Sequence, residues 1–78
     1  MEPINVTARF DETGMVHPLS LCWQGREYRM DISGRRWQAE DGLHILVIAT
    51  TGQAFEILFK PAEGRWYLVQ VPSDRMLA

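Results

Sequence analysis

The sequence predicts an all-β domain, a small antiparallel meander curled into a partly open, SH3-like barrel of six or seven strands. Three observations lead there. Apolar and polar residues alternate with a period of two near the start, glycine-bearing turn signals recur at roughly ten-residue spacing, and no segment keeps a helical period over about three turns. A small barrel also exposes less strand edge than a two-layer sandwich of the same length. At 78 residues the chain has room for one core. The expected organisation is a single β domain over residues 1–72 followed by a loose tail over 73–78.

Ile4, Val6, Ala8 and Phe10 share one face of the first strand, with Asn5, Thr7 and Arg9 on the other. Asp11-Glu12-Thr13-Gly14 supplies turn chemistry, and Pro18 marks the entrance to a second strand, Leu19 to Trp23. Gln24–Gly25 serves as a two-residue hairpin loop. With Trp23 opposite Arg26, Leu21 then opposes Tyr28 and Leu19 opposes Met30 on an apolar face, while Ser20–Arg29 and Cys22–Glu27 form a mostly polar one.

Ser33–Gly34 closes that element before a shorter strand over residues 35–40, and Asp41–Gly42 has the composition of a type I′ turn. Leu43 to Thr50 is apolar on both faces, as in a central strand. A tight Thr51–Gly52 turn places Ile48 opposite Phe55 and Leu46 opposite Ile57, with Val47–Glu56 and Ile45–Leu58 on the other face. Pro61-Ala62-Glu63-Gly64 forms a four-residue loop that sets Phe59 opposite Trp66 and Ile57 opposite Leu68; the last strand ends before Pro72. The expected core is Val6, Ala8, Phe10, Leu19, Leu21, Tyr28, Met30, Leu46, Ile48, Phe55, Ile57, Phe59 and Leu68.

Composition narrows the function. A chain that is 46% hydrophobic folds rather than remaining disordered. Its one cysteine, Cys22, excludes an internal disulfide and an all-cysteine metal site within one chain. With no such staple in so small a domain, association with another protein or with a second copy is expected. A net charge of −2 lacks the positive field of an autonomous nucleic-acid binder. No basic segment leads an apolar run at the start, and the apolar stretch over residues 43–49 is far too short to span a membrane. The expectation is a soluble cytoplasmic protein without a membrane partner.

Chemistry-bearing residues are sparse. His17, Cys22 and His44 match no compact zinc spacing and read as structural residues, so neither metal nor cofactor is expected. Asp11, Glu12 and Asp41 stand near glycines and read as turn residues whose side chains bond local backbone. No carboxylate pair is expected to converge across a cleft, and Cys22 with His44 has no orienting third group. An enzyme is therefore not expected.

Four of the eight basic residues, Arg26, Arg29, Arg35 and Arg36, fall in one short window beside Trp37, opposed there by Glu27 and Asp31 alone. Arginine suits forked contacts to carboxylate or phosphate, and an exposed tryptophan fills pockets or stacks on bases. Trp66 and Tyr67 are sequential, so on one strand they point to opposite sides; the outward one joins Arg65 at a binding face. The candidate interaction residues are Arg29, Arg35, Arg36, Trp37, Arg65 and Tyr67, with Arg29 meeting Arg35 or Arg36 across the Ser33–Gly34 turn.

Phe10-Asp11-x-x-Gly14, Pro18-Leu19, Trp23-x-Gly25-Arg26-x-Tyr28, Trp37, Asp41-Gly42, Phe55-x-x-x-Phe59 and Arg65-Trp66-x-Leu68-x-x-Val71 resemble a family of small bacterial domains of uncharacterised function, over about residues 4 to 71. The pattern is also similar to the C-terminal end of ImuB-type proteins, inactive relatives of Y-family polymerases in mutagenic repair. That resemblance implies an accessory module near DNA or a replication partner rather than a chemical centre. The expected function is a non-catalytic interaction module that binds a protein through the arginine/tryptophan surface or a sheet edge. An accessory nucleic-acid binder, weak in its contact, and a structural homodimer on an open apolar sheet face are the alternatives.

Overall fold

A computed structural model describes residues 1–74, with side chains through residue 70. Six strands run in chain order, β1 (Glu2–Phe10), β2 (Val16–Trp23), β3 (Arg26–Ala39), β4 (Gly42–Ala49), β5 (Gln53–Lys60) and β6 (Arg65–Asp74). Each pairs antiparallel with the next, as the meander requires. β6 returns to β1 through Glu2–Leu68, Pro3–Tyr67 and Ile4–Trp66, so the barrel is closed.

The β2–β3 hairpin has the register expected from side-chain sorting: Ser20–Arg29, Leu21–Tyr28, Cys22–Glu27 and Trp23–Arg26. Gln24 (φ 51°) and Gly25 (φ 76°) both take positive φ, the conformation that matches a two-residue turn to the twist of its strands. The last hairpin also follows expectation, with Lys60–Arg65, Phe59–Trp66 and Ile57–Leu68 paired around the 61–64 loop.

Elsewhere the structure corrects the register. Ser33–Gly34 is not a turn: β3 runs unbroken for 14 residues and bends by shifting register between Met30 and Ile32 and again between Ser33 and Arg36. Met30 consequently opposes Ala49 rather than Leu19. The β4–β5 pairing is displaced by one residue, giving Ile45–Ile57, Val47–Phe55 and Leu46–Glu56. Its loop is three residues long, Thr50–Gly52; Gly52 (φ 93°) donates to the Ala49 carbonyl at 2.8 Å and absorbs the extra residue. A one-residue slip exchanges the faces of a strand, so Ile45 and Val47 are buried, whereas Leu46 and Ile48 are only half-buried.

Leu19 and Phe10 also leave the expected core, at 46% and 60% exposure. The β1–β2 register shifts between Thr7 and Ala8, pairing Ala8 with Pro18 and Thr7 with Ser20. Leu19 is the extra residue of that shift, and the buried Pro18 takes the inward place where a ladder donor is not needed. Phe10 opposes the buried Val16 but at the rim of the barrel. Pro72 does not end β6; pairing continues through Ser73 and Asp74 after a register shift opposite Ala54–Glu56. Of the expected tail, residues 75–78 lie outside the described residues.

The core consists of Leu21, Tyr28, Phe55, Ile57 and Leu68, as expected, joined by Val16, Ile45, Val47, Ala49 and Trp66. Tyr28 meets Phe55 edge-on with ring centroids 5.0 Å apart, and Trp23 meets the same Phe55 ring at 6.2 Å. Such tilted pairs add to burial through ring quadrupoles.

The Glu40–Asp41 turn makes Gly42 the first residue of β4 rather than a central turn residue. Gly42 has φ 141°, and a Cβ there would lie 2.4 Å from the Phe59 carbonyl oxygen. Because the obstacle is backbone of the neighbouring strand, it has no rotamer by which to yield. Gly42→Ala is expected to destabilise the fold by roughly 2–4 kcal/mol, measured as the shift of the urea midpoint at constant slope. A change below about 0.5 kcal/mol would contradict the tight approach of β4 and β5.

Candidate functional site

Directly opposed residues of neighbouring strands point to the same side of a sheet. The registers therefore place Trp37, His44, Leu58 and Tyr67 in one row across β3, β4, β5 and β6. Ile45, Ile57, Trp66 and Leu68 point inward, so this row lies on the outside of the barrel. Three strand spacings put its ends about 14 Å apart. Leu58 is fully buried yet stands outside the central core cluster, covered by the outer-face side chains around it.

Each end of the row pairs an aromatic with a cation. The Trp37 ring stacks on His44 with centroids 5.2 Å apart and planes 12° from parallel, and the Arg35 guanidinium carbon lies 5.1 Å from the centre of the indole. At the other end the Lys60 ammonium is 5.2 Å from the Tyr67 ring centre. The Tyr67 hydroxyl donates to Glu63 Oε1 at 2.6 Å; this bond, reinforced by desolvation, raises the phenol pKa, while Arg65 works in the opposite direction.

His44 is the anchor of the row. Its Nε2 lies 2.8 Å from Asp41 Oδ1 and its Nδ1 lies 3.0 Å from Glu56 Oε2. Ionised carboxylates only accept, so both ring nitrogens must donate and the ring is an imidazolium. Burial alone would push its pKa down, but the hydrogen bonds and charges of Asp41 and Glu56 outweigh it and raise the pKa. The bond from His44 in turn lowers the Asp41 pKa. With both N–H groups engaged and Trp37 over one face, this ring presents no lone pair to a substrate. The two carboxylates bind opposite nitrogens and share no point for a metal ion. Among the described residues no group of three or more His, Cys, Asp and Glu is arranged to hold one.

Of the residues singled out in the sequence, Arg35 and Trp37 come together at one end of the row, and Tyr67 with Arg65 at the other. Arg29 stands apart, six residues of β3 from Arg35 or about 20 Å of extended chain, because no turn folds the strand back. Arg36 belongs to a different surface. It opposes the fully buried Ile45, so its stem points into the barrel, and its Nη1 donates to the Val16 carbonyl at 2.9 Å.

His44, Asp41 and Glu56 are the site residues that sequence reasoning missed. Asp41 turns its carboxylate to His44 Nε2, and Glu56 reaches His44 only in the shifted β4–β5 register. The one local signal is the Asp41-x-x-His44 spacing.

Asp11 does act as a turn residue, accepting from the backbone nitrogens of Thr13 (2.9 Å) and Met15 (3.0 Å). It also accepts from the Thr13 hydroxyl (2.6 Å) and lies 2.8 Å from His17 Nε2. The Thr13 hydroxyl, then His17 and the Met15 amide, hold this carboxyl well below the usual carboxylate range. Cys22 is exposed on the outside of β2.

Protonation of His44 is coupled to folding. Its folded pKa is raised above the unfolded value of 6.5, so its contribution is complete below pH 6.5 and is lost as pH rises through the folded pKa. Asp41, with a lowered pKa, contributes above 3.8 and loses that contribution as pH falls through its folded value. Urea unfolding of the wild type is therefore expected to show stability declining on the alkaline side of pH 6.5, with the decline flattened in His44→Gln and reduced in Glu56→Gln. Equal pH slopes in all three proteins would remove the imidazolium clamp.

Comparison with protein-family models, with curated proteins and with solved structures finds no match to this chain.

Proposed function

We propose that this chain is a non-catalytic recognition module that binds another protein through the outer face of β3–β6. The carrying observation is the Trp37–His44–Leu58–Tyr67 row, with Arg35 against Trp37 and Lys60 against Tyr67. Tryptophan, tyrosine and arginine dominate binding energy at protein interfaces, above all when their rotamers are fixed before the partner arrives. Here the fixing groups are the imidazolium beneath Trp37 and the Glu63 acceptor on Tyr67. Every ion pair among the described residues involves a histidine, leaving the Arg35 fork open to a partner carboxylate. The doubly donating His44 favours a structural over a catalytic role for the most buried titratable group of the site.

An accessory nucleic-acid module linked to repair is the second reading. The same cation–aromatic pairs favour it, since they suit stacking on unpaired bases beside phosphate contacts. The net charge of −2 argues for weak, strongly salt-dependent contact of that kind. A homodimer built on an open apolar sheet face has less support, because closure turns that face inward.

Affinity capture from native extract with wild type and an Arg35→Ala/Trp37→Ala variant tests the protein-binding reading. One partner retained in stoichiometric amount by the wild type and reduced at least about tenfold with the folded variant is expected. Undiminished capture by the variant would move the site elsewhere. Salt-sensitive binding of single-stranded DNA, lost in the variant, would promote the second reading over the first.

A further inference from the structure

One end of the barrel opens where two strands part. β2 pairs with β3 only through Ser20–Trp23, and from Met30 onward β3 pairs with β4 instead. Between the diverging edges lies an open groove of about 440 Å³. Its walls are predominantly apolar, formed by Phe10, Met15, Val16, Leu43, Phe59 and Pro61. Phe10 is 60% and Met15 49% exposed, high for large apolar side chains that line one opening. The Phe10 ring meets Phe59 at 5.9 Å, and Phe59 meets the buried Trp66 at 4.7 Å, so the wall is continuous with the core.

Arg36 is the charged group of this groove. It is half-buried, and one nitrogen donates to the Val16 carbonyl, the strand edge that β3 leaves unpaired. No described carboxylate lies within ion-pair distance of it, and none lines the groove. Asp11, at the base of the neighbouring loop, is already engaged by Thr13, Met15 and His17. A guanidinium carries five donors in a planar fork. Among the described residues, this one sits in largely apolar surroundings with most of that fork unspent and no counter-charge in reach.

We propose that the barrel mouth binds a segment of a partner protein in which an apolar side chain sits beside a carboxylate. The side chain seats among Phe10, Met15, Leu43 and Phe59, and the carboxylate takes the free donors of Arg36. Charge complementarity selects an acid over a neutral segment, because the partial burial of Arg36 strengthens a forked ion pair relative to one in open water. The openness of the groove selects a side chain on a larger partner over a free amphiphile. A site for a free small molecule covers most of its ligand, whereas the exposed Phe10 and Met15 walls leave a long acyl tail in water. This site is independent of the outer-face reading, since Arg36 and Trp37 point to opposite sides of β3.

The test is a titration of ¹⁵N-labelled full-length protein, followed by amide shifts, with a capped pentapeptide carrying phenylalanine between aspartate and glutamate. The same peptide with asparagine and glutamine in place of the acids, one with alanine in place of phenylalanine, and dodecanoate serve as the other probes. The acidic aromatic peptide is expected to shift the amides of Val16, Arg36, Leu43 and Phe59 with a Kd on the order of millimolar or tighter. Its neutral and alanine forms bind at least about tenfold more weakly. Arg36→Gln and Phe10→Ser each weaken the acidic peptide by a similar factor; Phe10 is exposed, so its variant keeps the test decisive if loss of the Val16 bond unfolds Arg36→Gln. The Arg35→Ala/Trp37→Ala variant binds the peptide undiminished, separating this site from the outer face. Equal binding of acidic and neutral peptides, shifts confined to β3–β6 outer residues, or no shift at about 5 mM peptide overturns the proposal. Dodecanoate occupying the mouth where the peptide does not overturns it as well.

Discussion

Strand β3 must satisfy two neighbours that diverge. Its first residues complete a hairpin with β2, and its last ten belong to β4. A flat strand cannot do both inside a closed barrel of six strands, because closure demands tilt and local bending. The two register shifts between Met30 and Arg36 supply the bend. From that one constraint follow the inward stem of Arg36, the outward placement of Arg35 and Trp37, and the gap between β2 and β3 that becomes the barrel mouth. Arg36 bridges the gap with a side-chain bond where the backbone ladder stops.

Closure also makes the outer face unusual for so small a domain. Burying one layer of apolar residues inside leaves Leu58 pointing out, and the chain covers it with a polar and aromatic roof. An imidazolium held by Asp41 and Glu56 forms the centre of that roof and stacks against Trp37. The arrangement is self-consistent electrostatically: the carboxylates fix the cation, the cation lies against the electron-rich face of the indole, and Arg35 attracts the same ring. Both N–H groups of His44 already have acceptors, so the ring is fixed in place at the foot of Trp37.

The two faces of the molecule divide the arginines that cluster in sequence. Arg35 stands outside beside Trp37, Arg36 turns into the mouth, and Arg29 lies farther along the strand opposite Ser20. Proximity in sequence therefore does not make these residues one patch. Alternation along a strand sends neighbours to opposite sides, and the unbroken run of β3 keeps Arg29 away from Arg35.

Local chemistry by itself determined the all-β meander, the Gln24–Gly25 turn with Leu21 opposite Tyr28, and the 61–64 loop with Phe59 opposite Trp66. In each, loop length and the sorting of both faces agree, so a single register satisfies the chain. It also determined that Trp66 and Tyr67 part company, one inward and one outward. The β4–β5 register was not legible, because Leu43 to Ala49 is apolar on both faces and alternation carries no information there. Only the three-residue turn at Gly52 decided which of Ile45 or Leu46 enters the core, and with it brought Glu56 to His44. The continuity of β3, the extra residue Leu19 and the meeting of Arg36 with Val16 likewise belong to the tertiary structure. Each is an adjustment of one strand to the curvature of the whole barrel, and curvature is a property of all six strands together rather than of any segment.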